Sequence, residues 1–183
     1  MSKITLVTGG CRSGKSSFGE NLYSGIDDVL YIATAIVTDE EMKHRIKKHR
    51  ESRNQKWATL EAYSDLHNKI EEYEQKHIFL DCVTIMTTNI MFELETDYDN
   101  ISDDKIDCIC KKIKDEFTSF INKCRELDKE VVLITNEVGW GLVPDNRLSR
   151  IFRDIQGFIN QHVGNMADQV YLVCCGQGLK IKG

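Results

Sequence analysis

"TGGCRSGKSS", residues 8–17, decides the fold. Gly9, Gly14, Lys15 and Ser16 satisfy the spacing GxxxxGK[ST], with the apolar run "ITLVT" (4–8) directly before them and a helix-patterned stretch, 15–24, directly after. A strand that passes through glycines into a helix turns backbone N–H groups toward one point. Phosphate oxygens can accept from them there, and the positive end of the helix adds to the field. Lys15 is placed to reach the terminal phosphates of a nucleotide and the Ser16 hydroxyl to bind Mg²⁺. A glycine-rich turn without a ligand is the competing reading, and the agreement of strand, loop and helix stands against it.

Working outward, short β-branched runs recur: "VLYIA" (29–33), "HIFLD" (77–81), "VVLIT" (131–135) and "VYLVC" (170–174). Their lack of polar alternation predicts strands buried on both faces. Helical spacing over 38–53, 63–76, 103–128 and 147–163 separates them, the alternation of an α/β fold with a mostly parallel sheet flanked by helices. At 183 residues the chain suits one domain spanning 1–183. Pro144, the only proline, falls in "NEVGWGLVPDN" (136–146), an ordered loop between strand and helix. Ligands of open α/β sheets gather at the carboxyl ends of strands. Asp81, which ends "HIFLD", is therefore the candidate to hold the metal, directly or through water.

Composition limits the partners. With 41% hydrophobic and 29% charged residues the chain is neither disordered nor lipid-embedded. No stretch approaches the ~20 apolar residues that a bilayer requires, so no membrane insertion is expected. A net charge of −5 argues against nucleic acid as a partner. Seven cysteines, an odd number with no secretory signal before them, read as reduced thiols in a cytoplasmic protein. Cys108 and Cys110 point to different helix faces, Cys174 and Cys175 sit in a strand pattern, and neither pair has zinc spacing.

"DEEMKHRIKKHRESR" (39–53) carries acids first and bases after, as a helix dipole prefers. Counting about 100° per residue from Met42, Ile46 lies near 40°, His49 near −20° and His44 near 200°. His49 thus shares the apolar face, with Arg45 and Arg53 one turn away and Arg50 beside it. Those cations disfavour protonation of the imidazole and can themselves bind phosphate bidentately. That equips a nucleophile for attack on a nucleotide phosphate, although a histidine at the core edge of a solvated basic helix fits the same pattern. Glu61, at the end of "KWATLE" (56–61), could accept two hydrogen bonds from a guanine edge or lie on the surface. In 135–161, Asn136, Glu137 and several arginines crowd after a buried strand. Arg147, Arg150 and Asp154 share one helix face, either ion-paired in solvent or turned to a substrate or a subunit.

Taken in order, "VTGGCRSGKS", "YIATA", "DEEMKHRIKKHRESR", the series Trp57, Thr59 and Glu61, "DCVTIMTTN", "TNEVGWGLVP", R-x-FRD-x-x-G-x-x-NQ (150–161) and "LKIK" run nearly end to end. This series resembles the bifunctional adenosylcobinamide kinase and adenosylcobinamide-phosphate guanylyltransferase family of cobalamin biosynthesis. The resemblance implies a P-loop NTPase-like, RecA-like fold and two reactions. In the first, ATP or GTP phosphorylates the aminopropanol hydroxyl of adenosylcobinamide. In the second, GTP passes GMP through a guanylylated histidine to adenosylcobinamide phosphate, giving adenosylcobinamide-GDP. It places the histidine at His49 and implies nucleotide binding by Gly9, Gly10, Cys11, Arg12, Ser13, Gly14, Lys15, Ser16, Ala33, Thr34, Ala35, Arg50, Glu51, Ser52, Arg53, Glu61 and Asp81. The resemblance further implies that Lys15 is catalytic, that Ser16 and Asp81 hold Mg²⁺, and that the protein forms a homotrimer with nucleotide sites near subunit contacts. Cys11 stands where the family usually has alanine, and Trp140 where smaller residues are common. Two other readings keep the phosphate loop without the histidine step: a small-molecule kinase, and a GTP-binding module that does no chemistry.

Overall fold

The computed structural model describes residues 1–36 and 54–183. The helix expected over 38–53 lies outside the described residues. Strands β1 (Lys3–Thr8), β2 (Val29–Ala33), β3 (Ala58–Glu61), β4 (His77–Asp81), β5 (Glu130–Ile134), β6 (Gln169–Cys174) and β7 (Gln177–Lys182) form one sheet in the order β3-β2-β4-β5-β1-β6-β7. The first six are parallel and β7 runs antiparallel to β6. The mostly parallel α/β sheet anticipated from the sequence is therefore present.

The continuous apolar runs conceal a strict alternation. Ile4 and Leu6, Leu30 and Ile32, Ile78 and Leu80, Val131 and Leu133 enter one core; Val7, Val29 and Tyr31, Phe79, Val132 and Ile134 enter the other. Successive strand side chains point to opposite faces, so a strand covered on both sides is apolar at every position. On the first face pack α3 (Val83–Leu94), α4 (Asp103–Glu126) and α5 (Arg147–Met166). α1 (Lys15–Asn21) lies on the second so closely that a Cβ on Gly19 would sit 2.6 Å from Ile134 Cδ1.

Both long helices begin as their sequences require. Ser102 Oγ accepts from Lys105 N–H, with Asp103 and Asp104 in the first turn of α4 and Lys123 and Arg125 in its last. The buried residues of α4, Ile109, Cys110, Ile113, Phe117, Phe120, Ile121 and Cys124, follow the helical period, while Cys108 faces solvent. Asn146 Oδ1 accepts from Ser149 N–H at 2.7 Å and starts α5. Asn146→Ala should destabilise the protein by about 0.5–2 kcal/mol in urea unfolding. An unchanged transition midpoint would refute this role for the cap.

Four elements depart from the sequence reading. The helix expected over 63–76 is one short α2 (Leu66–Lys69) followed by a 3₁₀ turn, Ile70–Glu72; Leu66 and Ile70 are its fully buried residues, with Tyr63 and Tyr73 packed partly exposed against the core. α3 arises from "VTIMTTNIMFEL", rich in β-branched residues and without a polar stripe; it is helical because tertiary contacts bury Val83, Thr84, Met86, Thr87, Ile90 and Met91. β3 and β7 carry no run of buried residues and extend the two edges of the sheet. Cys175, placed with the last strand by its neighbours, is in the turn after β6, with φ 51°.

Candidate functional site

β1 ends at Thr8 and the chain turns through Gly9–Gly14 into α1. Gly14 adopts φ 92°, and a Cβ there would lie 2.9 Å from Gly176 Cα. A Cβ on Gly9 would meet Val173 O at 2.4 Å. Both glycines are thus required by close backbone approach, and Gly14 by its left-handed conformation as well. The turn between β6 and β7 holds the loop from the side, Gly176 N–H donating to Ser13 O at 2.8 Å. Gly14→Ala should cost about 1–2 kcal/mol from the left-handed backbone alone, with the Gly176 contact adding to it. Thermal unfolding and nucleotide titration measure it, and full stability with full nucleotide affinity would contradict the constraint.

Lys15 Nζ donates to Gly10 O at 3.2 Å, folding back over the loop. Its charge is also felt at the end of β4. Burial pushes the Cys82 thiol up to about 12, Asp81 reinforces the rise, and Lys15 opposes it. Lys15 therefore lies within electrostatic range of the Asp81–Cys82 corner, although β5 separates β1 from β4. Asp81 Oδ2 accepts from Tyr31 OH at 3.0 Å. Ser16 opens α1 beside Lys15. Ser16 and Asp81 offer only oxygen donors, one hydroxyl and one carboxylate. That set suits Mg²⁺, which keeps most of its shell as water and substrate phosphate.

Ala33, Thr34, Ala35 and Glu61 gather at the carboxyl ends of β2 and β3, where Ala33 pairs with Glu61. Neighbouring strands lie about 4.8 Å apart, so three strand steps put this cluster ~14 Å or more from β1. Thr34 is buried, and its hydroxyl donates to Cys82 O at 2.9 Å while accepting from Cys82 N–H at 2.8 Å. Its side chain ties β2 to β4, and its backbone is engaged as well, the N–H donating to Asp81 O at 3.2 Å and the C=O accepting from Asn89 Nδ2 at 2.7 Å. Glu61 is exposed at the sheet edge. His49, Arg50, Glu51, Ser52 and Arg53 lie outside the described residues.

The arginines of α5 have structural employment. Arg147 donates to Asp99 O at 2.7 Å and Ile101 O at 2.8 Å, and Arg150 to Pro144 O at 2.9 Å and Asp145 O at 2.6 Å. Asp154 pairs with its neighbour Arg153 at 3.3 Å. Neither of the two uses proposed for this face anticipated guanidinium groups that gather backbone carbonyls at the start of the helix.

A polar group next to the phosphate loop was visible in the sequence only as crowding. Glu137 Oε1 accepts from Thr8 Oγ1 at 3.0 Å and from Asn160 Nδ2 at 3.2 Å. Asn136 N–H donates to Thr84 Oγ1 at 2.9 Å. The signal lay in "TNE" directly after a buried strand and in an asparagine on the next helix, too far along the chain to be associated by spacing.

A strand, a glycine loop with positive φ and a helix carrying Lys15 and Ser16, at the carboxyl edge of a parallel sheet, define the phosphate-loop class of nucleotide-handling proteins. Within that class, the chain belongs to the cobinamide kinase / cobinamide phosphate guanyltransferase family, whose model matches residues 5–181. It is 43% identical over 181 residues to the bifunctional adenosylcobalamin biosynthesis protein CobU of Escherichia coli (strain K12), covering 98% of this chain and 99% of that protein. The protein of the same name from Salmonella typhimurium is 44% identical over the same shares, and CobP of Pseudomonas aeruginosa 32% identical over 97% of this chain and 96% of that protein. Among the described residues no helix is long and apolar enough to cross a membrane.

Proposed function

We propose that this enzyme phosphorylates the aminopropanol hydroxyl of adenosylcobinamide from ATP or GTP, and then transfers GMP from GTP to adenosylcobinamide phosphate through a guanylylated His49. The observation that carries the reading is the Gly9–Ser16 loop, held by Gly176 and Val173 in a shape only glycine fits, with Lys15 folded over it. Backbone N–H groups of Gly10–Ser16 hold the triphosphate, and Lys15 neutralises charge that develops on the transferred group. Ser16 and Asp81 hold Mg²⁺, which supplies further charge neutralisation when bound. His49 attacks the α-phosphorus of GTP through a ring nitrogen and pyrophosphate leaves; the phosphate oxygen of the acceptor then takes GMP from the histidine. Splitting the transfer into two displacements lets each be met by positive charge, for which Arg50 and Arg53, one and four residues along the chain from His49, are the candidates.

Ala33, Thr34, Ala35, Glu51, Ser52 and Glu61 contact the nucleotide in this reading, Glu61 reading the guanine edge. The working form is a cytoplasmic homotrimer of single-domain subunits. Mass spectrometry of the protein after GTP and Mg²⁺ tests the scheme: one GMP on the peptide that contains His49 supports it, and a protein that turns over both substrates without ever carrying GMP refutes the covalent step.

A further inference from the structure

Glu137 lies three residues past the end of β5, and its N–H donates to Gly9 O at 3.1 Å, which fixes it to the first glycine of the phosphate loop. Its Oε1 is saturated by Thr8 Oγ1 and Asn160 Nδ2. Those donors are held in turn: Asn160 Oδ1 accepts from Thr135 Oγ1 at 2.7 Å and from Gln156 Nε2 at 2.8 Å, and Asn160 Nδ2 also reaches Asn136 O at 3.0 Å. Thr135 and Gln156 are completely buried. A buried polar network of this size is costly to desolvate, and this one leaves Gln156 Oε1 without a partner among the described residues. What it orients is the half-buried carboxylate of Glu137. No described cation pairs with that carboxylate, and no described donor reaches Oε2.

A negative group beside a loop built for polyphosphate works against ligand binding by simple repulsion. Its place there is explained by a task that phosphate does not need and a hydroxyl does. Of the two reactions, only phosphorylation must take a proton from an alcohol. Guanylyl transfer is received by a phosphate that is already anionic, and a neutral imidazole attacks with its own lone pair. We propose that Glu137 is the general base of the phosphorylation step. The acceptor O–H proton passes to the free carboxylate oxygen, the acceptor oxygen bonds to the γ-phosphorus, and the bond from that phosphorus to the β–γ bridging oxygen breaks. Nucleoside diphosphate departs, and the proton is released to water. The inference rests on the kinase activity proposed above, and extends it by naming the group that activates the acceptor.

Glu137→Gln is the discriminating change, because the amide oxygen can still accept from Thr8 and Asn160 while the proton acceptor is lost. Expected is a fall of about 10²–10⁴ in the phosphorylation kcat, the range for loss of a general base, with nucleotide KM and the amount of GMP adduct unchanged. In Glu137→Ala, added formate should restore part of the lost turnover. Undiminished phosphorylation by Glu137→Gln overturns the inference while leaving the kinase reading intact. So does an equal loss of both reactions, which marks a structural role, or a loss reversed by excess Mg²⁺, which marks a metal-holding one. A wild-type protein that phosphorylates no acceptor overturns both.

Discussion

Replacing His49 with alanine is expected to abolish transfer of GMP while hydroxyl phosphorylation continues. Removing a covalent nucleophile typically costs on the order of 10⁴–10⁶ in turnover, because no other group can form the intermediate. Labelled GTP should leave an acid-labile, base-stable adduct on the wild-type protein and none on His49→Ala. His44 supplies the internal control: the helical spacing expected from the sequence sets it opposite Met42, Ile46 and His49, so His44→Ala should load normally. An adduct that persists in His49→Ala, or a mutant that loses both reactions together, would sink the assignment. The outcome also separates the three functional readings of the sequence, since neither a plain kinase nor a nucleotide-binding module becomes covalently loaded.

Lys15→Ala is expected to lower kcat/KM for phosphorylation by about 10²–10³, the loss found when a preorganised charge stabiliser is removed from a transition state. The physical ground is local. Lys15 Nζ is held at Gly10 O, over the loop whose backbone would take the phosphates. Glycine spacing shapes the cradle, but without Lys15 the charge on the transferred phosphoryl group loses its side-chain cation and is met by backbone dipoles and the proposed Mg²⁺ only. Steady-state kinetics with varied nucleotide measure the loss. Wild-type turnover in Lys15→Ala would remove this loop from the chemistry, whatever its shape. Because His49 lies on a different segment, comparing both variants in both reactions tells whether the loop serves one step or each.

The parts of the site legible beforehand are those whose constraints are contiguous. Gly9, Gly14, Lys15 and Ser16 occupy a single turn, so residue spacing alone specifies the backbone conformation, and the structure supplies its reason in Val173 and Gly176. Asp81 was singled out because it ends an apolar run, and the structure places it at the end of β4. Thr34 was legible in position but not in use: its hydroxyl bonds to Cys82, 48 residues away. Arg147 and Arg150 were ambiguous because a helical face says only which residues are neighbours, not that Asp99, Ile101, Pro144 and Asp145 present carbonyls to them.

By itself the sequence determined the strand-loop-helix unit, the parallel sheet and the capped helices α4 and α5, since each depends on periodicity or on neighbours within a few positions. Tertiary structure alone decided that "VTIMTTNIMFEL" is a helix and that β3 and β7 close the sheet edges. It also brought Thr8, Glu137 and Asn160 to one carboxylate, two of them 129 residues apart. The reason is common to all of these: burial and hydrogen bonding reward contacts between distant segments, and such contacts leave no periodic trace in either segment alone.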